Sequence, residues 1–169
     1  LVAVSEGLLH RFNKDEIRAV LGHEIGHVTG RHSAQRYSQS IIAGIGTAGV
    51  SILSSVFLGT TAVGDAVGQG AGVYLQGFSR EHEFEADTLG VRYLSRTGYD
   101  TAAMASFLSS LEAYSALEAK VSGLPDPASR YNIMSTHPRT SDRVNAATRA
   151  ANVKPVANPK TGNREYLAA

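Results

Sequence analysis

The chain of 169 residues contains no cysteine. Disulfide cross-links and thiol catalysis are therefore excluded, while the redox compartment stays open. An excess of one charge is also lacking: 16 Lys and Arg stand against 15 Asp and Glu, with no basic run that could track phosphates. Tyr and Phe are scattered rather than interleaved with basic residues, so nucleic acid is not an expected partner. Between Tyr37 and Gly64 there is no charged residue. There is no initiator Met and no signal-peptide pattern. Leu1-Val2-Ala3-Val4 reads as the end of a strand, so a piece of a longer protein is expected.

What is present is His23-Glu24-Ile25-Gly26-His27, an HExxH motif. Such a motif arises by accident in about one chain of this composition in a hundred, so its context decides. Asn13-Lys14-Asp15-Glu16 has the form of a capping box, with acidic residues where a helix N-terminus favours them. Ile17, Val20, Leu21, Ile25 and Val28 recur at helical spacing. On a helix, residues i and i+4 share a face. His23 and His27 can then hold one zinc ion, with Glu24 beside its open position to take a proton from water. The bland alternative is two satisfied histidines on a buried helix face.

A catalytic zinc needs a third protein ligand. A histidine six residues past His27 would serve, but Ser33 stands there and His32 falls one residue short. Glu83 and Asp87 form an i, i+4 pair in a second helical pattern over about 79–97, with Ser79 as N-cap and Gly98 just past the end. Glu83 can reach the metal, and Asp87 can orient a ligand histidine by accepting from its other nitrogen. Glu81 and Glu85 lack an Asp four residues on. A solvated acidic face is the competing reading.

Further on, Thr136-His137-Pro138 and Arg143 lie where a Gly/Pro-containing loop meets a short helix. A donor there can stabilise the negative charge that peptide hydrolysis builds on the carbonyl oxygen. Gly7-Leu8-Leu9, Asp15-Glu16-Ile17, Val20 to Val28 with Arg31-His32, Glu83 to Asp87, and His137-Pro138 with Arg143 occur in that order. This set resembles the zinc metallopeptidases of the HtpX and CAAX prenyl protease type, over about residues 4–148. The resemblance implies zinc bound by His23, His27 and Glu83, with Glu24 as general base and Asp87 behind the ligands. It places His137 and Arg143 at the cleft. For His137 it leaves two roles open, oxyanion donor or inhibitory zinc ligand.

The fold implied is mainly α (α+β) and gluzincin-like, with a truncated N-terminal strand element. Substrate strands would come from upstream, where a polypeptide could bind by strand addition. The patterns predict helices at about 14–36, 40–58, 79–97, 101–121 and 140–151, with Asp100 capping the fourth. Residues 1–151 form one catalytic domain in this reading, and 152–169 an extended tail. The uncharged 37–64 stretch suits a flexible flap or interfacial segment better than a membrane span or a core helix. The implied activity is endoproteolysis of unfolded or misassembled polypeptides at the bacterial cell envelope, periplasmic or membrane-associated. The competing class is a zinc-stabilised chaperone-like or interaction module. Glu24 argues against it, because a structural site has no use for a base.

Overall fold

A computed structural model describes residues 4–122, 141–153 and 155–162. Among the described residues six helices follow in order: α1 (Glu6–Arg11), α2 (Lys14–Thr29), α3 (His32–Leu58), α4 (Ala62–Thr97), α5 (Ala103–Ser122) and α6 (Ser141–Val153). The chain is mainly α. Among the described residues the β pairing is one isolated parallel bridge, Tyr99 with Lys160. Of the strand expected at 1–4, residues 1–3 lie outside the described residues and Val4 is not in a strand.

Contacts divide the chain into two compact units, residues 1–27 with 83–169, and residues 28–82. The first holds the apolar core, built from Leu8, Phe12, Val20, Val91, Leu94, Met104, Phe107, Leu108 and Leu111 among others. Phe12 meets Phe107 and Tyr114 edge-on, with ring centroids 5.3 and 5.7 Å apart. The capping box at the start of α2 forms. Asn13 Oδ1 accepts from the Asp15 and Glu16 amides at 3.0 and 2.9 Å, and Glu16 Oε2 accepts from Asn13 N at 3.0 Å. Glu16 Oε1 also accepts from Ser106 and Ser110 on α5, at 2.8 and 2.7 Å. One buried carboxylate thus starts α2 and ties it to α5.

The C-terminal part of α4 lies against α2 through small residues. A Cβ on Gly22 would meet Gly90 backbone at 3.3 Å, and one on Gly26 would meet Ala86 O at 2.9 Å and Ala86 Cα at 3.0 Å. Gly22/Gly26 and Ala86/Gly90 are each i, i+4 pairs, so both helices present a small-residue face at the crossing. Past α4, Gly98 takes the left-handed conformation (φ +77°) that lets the helix stop there. Asp100 Oδ1 accepts from Ala102 N at 2.9 Å, one turn before α5. The described part of the tail returns to this unit: Lys160 N donates to Gly98 O at 2.8 Å, and Gly162 N to Asp15 Oδ2 at 3.3 Å.

The second unit is an α3/α4 helical hairpin, and here three expected boundaries move. The helix expected over 14–36 ends at Thr29, because Arg31 adopts φ 55° and α3 restarts at His32. α3 then runs unbroken to Leu58, where left-handed Gly59 ends it. α4 begins at Ala62 rather than near Ser79, which lies inside the helix and is not a cap. Thr60 Oγ1 accepts from Ala62 N at 3.2 Å at the true start. No proline interrupts 62–97, so the glycines weaken the helix without ending it.

The core-helix reading of this stretch does not hold. α3 buries only His32 and Ser54, while Ile42, Ile45, Ile52, Val56 and Phe57 are exposed. α3 is long and apolar enough to cross a membrane, by length and composition. A groove of about 460 Å³ runs along the hairpin between Gln39, Ile42 and Gly46 on one side and Val67, Gly70 and Tyr74 on the other.

The helix crossing yields a test. Gly26→Ala puts a methyl against α4 backbone that cannot yield as a side chain can, so it should cost about 1–3 kcal/mol in urea unfolding. Gly49→Ala, where a Cβ meets nothing within 4 Å, should stabilise slightly or be neutral. Equal effects of the two would show that the crossing is not tight.

Candidate metal centre

His23 and His27 lie one turn apart on α2, and Glu83 and Asp87 one turn apart on α4. The tight crossing turns both pairs to one point. His23 Nε2 and His27 Nε2 are 3.0 Å apart. Glu83 Oε1 is 3.2 Å from His27 Nε2, and Glu83 Oε2 is 3.5 Å from His23 Nε2. All three ligand atoms lie within 4.8 Å of one another. Metal–ligand distances of about 2.0–2.2 Å around a tetrahedral zinc place neighbouring ligand atoms roughly 3.3 Å apart, so the residues fit that ion.

The protonation pattern fits as well. His23 Nδ1 sits 2.9 Å from Asp87 Oδ1 in a buried pair. An ionised carboxylate can only accept, so Nδ1 carries the proton and Nε2 keeps its lone pair for the metal side. Glu83 and Asp87 are both almost fully buried. A divalent cation between His23, His27 and Glu83 would balance charge that burial otherwise makes costly.

Arg143, expected at the cleft as a charge donor, is found bound to the two carboxylates. It projects from α6, 2% exposed, and spans both carboxylates. Its Nε donates to Asp87 Oδ2 at 2.7 Å, its Nη2 to Asp87 Oδ1 at 2.8 Å, and its Nη1 lies 3.0 Å from Glu83 Oε2. This forked geometry suits guanidinium and not ammonium. Burial pushes the Asp87 carboxyl up. The hydrogen bonds from Arg143 and then His23, with their charges, outweigh burial and hold Asp87 below the usual carboxylate range. Arg143 responds in kind: burial lowers its pKa, but Asp87 and Glu83 raise it overall.

Glu24 is half-buried on the histidine-bearing turn of α2, and Glu85 is exposed. His137 lies outside the described residues. Gly22, Gly26, Ala86 and Gly90 were not singled out in advance as helix-contact residues. Small residues at i, i+4 beside each ligand pair are the signal that could have found them.

The profile described as Peptidase family M48 matches residues 1–151. Protease HtpX of Ectopseudomonas mendocina (strain ymp) is 31% identical over 180 residues, covering 88% of this chain and 58% of that protein. Protease HtpX of Hahella chejuensis (strain KCTC 2396) is 32% identical over 177 residues, covering 86% and 57%. A beta-barrel assembly-enhancing protease of Yersinia pestis is 34% identical over 161 residues, covering 92% of this chain and 31% of that protein. The chain therefore spans a little over half of these HtpX relatives and under a third of the third protein. No solved structure matches.

Removing Arg143 leaves two carboxylates buried without their shared guanidinium. Arg143→Ala should cost about 3–5 kcal/mol at pH 7, measured by urea unfolding with chelator present. A depressed Asp87 contributes stability fully above its unfolded pKa of about 3.9, and loses it as pH falls through the lower folded value. The gap between wild type and variant should therefore narrow from pH 7 to pH 3. A gap of constant size would contradict the clamp.

Proposed function

The chain belongs to peptidase family M48, and on that premise we propose that it is a zinc-dependent endopeptidase. The observation that carries the proposal is the grouping of His23, His27 and Glu83, with Asp87 behind His23 and Arg143 behind Asp87. Zinc held there would polarise a peptide carbonyl and acidify water. Glu24, one residue from His23 on the same helix, takes the proton of the attacking water and returns it to the leaving amine. Asp87 fixes the His23 tautomer, and Arg143 fixes both Asp87 and Glu83. Arg143 thus acts through the ligand set. His137 supplies an oxyanion donor or a closing ligand in this reading. Residues 1–151, the span matched by the family profile, form the catalytic domain.

We infer unfolded or misassembled polypeptides of the bacterial cell envelope as substrates. The name of the Yersinia pestis relative, a beta-barrel assembly-enhancing protease, supports this class. Membrane association belongs to the same proposal. Its support is the exposed apolar surface of α3, with Ile45 70% and Phe57 77% exposed in a stretch without charge.

Glu24→Gln should retain the metal but lose casein degradation by at least about a hundredfold, because an amide cannot accept the proton. Glu83→Ala should lose zinc on dialysis, while Glu85→Ala should keep it. Persistent turnover in the first variant, or the reverse order in the second pair, would remove these assignments. For the membrane, flotation with phosphatidylethanolamine/phosphatidylglycerol vesicles should fall in an Ile45→Glu/Phe57→Glu variant. Unchanged flotation, or none in the wild type, would count against association through α3.

A further inference from the structure

The hairpin inverts the usual order of burial. Its large apolar side chains are exposed, yet two imidazoles are buried, His32 at 3% and His82 at 6% exposure. The two rings lie face to face, 4.2 Å between centroids and 3° from parallel. His32 opens α3, and His82 comes late in α4, so the stack joins the two legs at the base of the hairpin.

Gln35 and Gly30 brace the pair. Gln35 Nε2 donates to Gly30 O at 2.7 Å, and Gln35 Oε1 lies 3.1 Å from His82 Nε2. The amide nitrogen is committed to the carbonyl, so the amide oxygen accepts and His82 donates from Nε2. Gly30 sits against the His32 ring, and a Cβ there would collide with it. The next residue, Arg31, is held at φ 55°, a conformation that costs a non-glycine residue about 1–2 kcal/mol. The chain accepts that cost where it turns from α2 into α3.

The position of this clasp along the chain matters. His32 is five residues past His27, and His82 immediately precedes Glu83. Successive residues of a helix differ by 100° in direction, so fixing the ring at 82 fixes the direction in which residue 83 departs. A metal site tolerates only about 0.5 Å of looseness in its ligands.

We propose that His32, stacked on His82 and braced by Gly30 and Gln35, is a positioning residue that sets Glu83 for metal binding. The proposal rests on the zinc reading above. It assigns no contact between His32 and the metal.

Zinc affinity of the full chain, measured by competition with a chromophoric chelator, tests it. The visible spectrum of the cobalt-substituted protein reports the coordination geometry. His32→Ala should weaken zinc binding about tenfold or more, the range in which supports behind metal ligands act. Gly30→Ala should do the same by displacing the ring. His32→Phe, which keeps a flat ring in the stack, should restore affinity to within about threefold and restore the cobalt spectrum. A role in packing alone predicts a lower melting temperature with zinc affinity and spectrum unchanged, and that result in His32→Ala overturns the proposal. If His32→Ala fails to fold by circular dichroism, Gln35→Ala at an exposed position carries the test. It should bind zinc about two- to fivefold more weakly, and unchanged affinity overturns the proposal. A wild-type protein that takes up no zinc would instead remove the zinc reading, and this proposal with it.

Discussion

Four polar side chains from two helices meet at one point here across backbones that nearly touch. The crossing of α2 and α4 permits that approach with Gly22, Gly26, Ala86 and Gly90, and the rest of the centre depends on it. Larger residues would separate the helices by the thickness of a side chain. His23 Nδ1 would then lose Asp87, and the imidazoles would lose Glu83. Gly90 is packed from two sides, since a Cβ there would collide with the Met104 side chain and reach 3.1 Å from His23 N. The apolar core and the polar centre therefore share one wall.

Arg143 changes how the centre is held. A metal site built from two helices alone would rely on the ion to oppose the repulsion of its carboxylates. Here a third helix contributes a buried guanidinium that binds Asp87 through two nitrogens and reaches Glu83 with the third. Buried pairs of this kind define geometry more than they add net stability. The arrangement is therefore better understood as a means of fixing ligand orientation than as a stabilising device. Its position on α6 also makes that short helix part of the centre, although most of its surface is polar.

Much of this was legible in the chain and some was not. The capping box at Asn13 and the stop at Gly98 follow local rules, and both appear. The pairing of His23/His27 with Glu83/Asp87 follows from helical spacing, and the structure brings those groups together. Three helix boundaries around the hairpin were misplaced. The break at Arg31 depends on a contact between Gly30, His32 and His82, which no local pattern encodes. The early start of α4 was obscured by Gly64, Gly68, Gly70 and Gly72, which suggest a loop when the neighbouring helix is unknown. Arg143 was singled out by its motif, and the structure sets it against Asp87 and Glu83. Its partners could not be read, because they lie more than fifty residues away on another helix.

The imidazole stack at the base of the hairpin also bears on how the chain finds its structure. The first unit is discontinuous, since residues 1–27 must meet residues 83–169 across everything between. Closing a flexible loop of that length costs roughly 3–4 kcal/mol beyond the constant for any closure. The hairpin is made of contacts local to its own segment, and local contacts form early. Once His32 and His82 have stacked, the intervening chain no longer behaves as a long tether. The two segments of the first unit are then tethered by the stacked ends of the hairpin rather than by its full length. The segment that interrupts the first unit thus shortens the search by which its two parts meet.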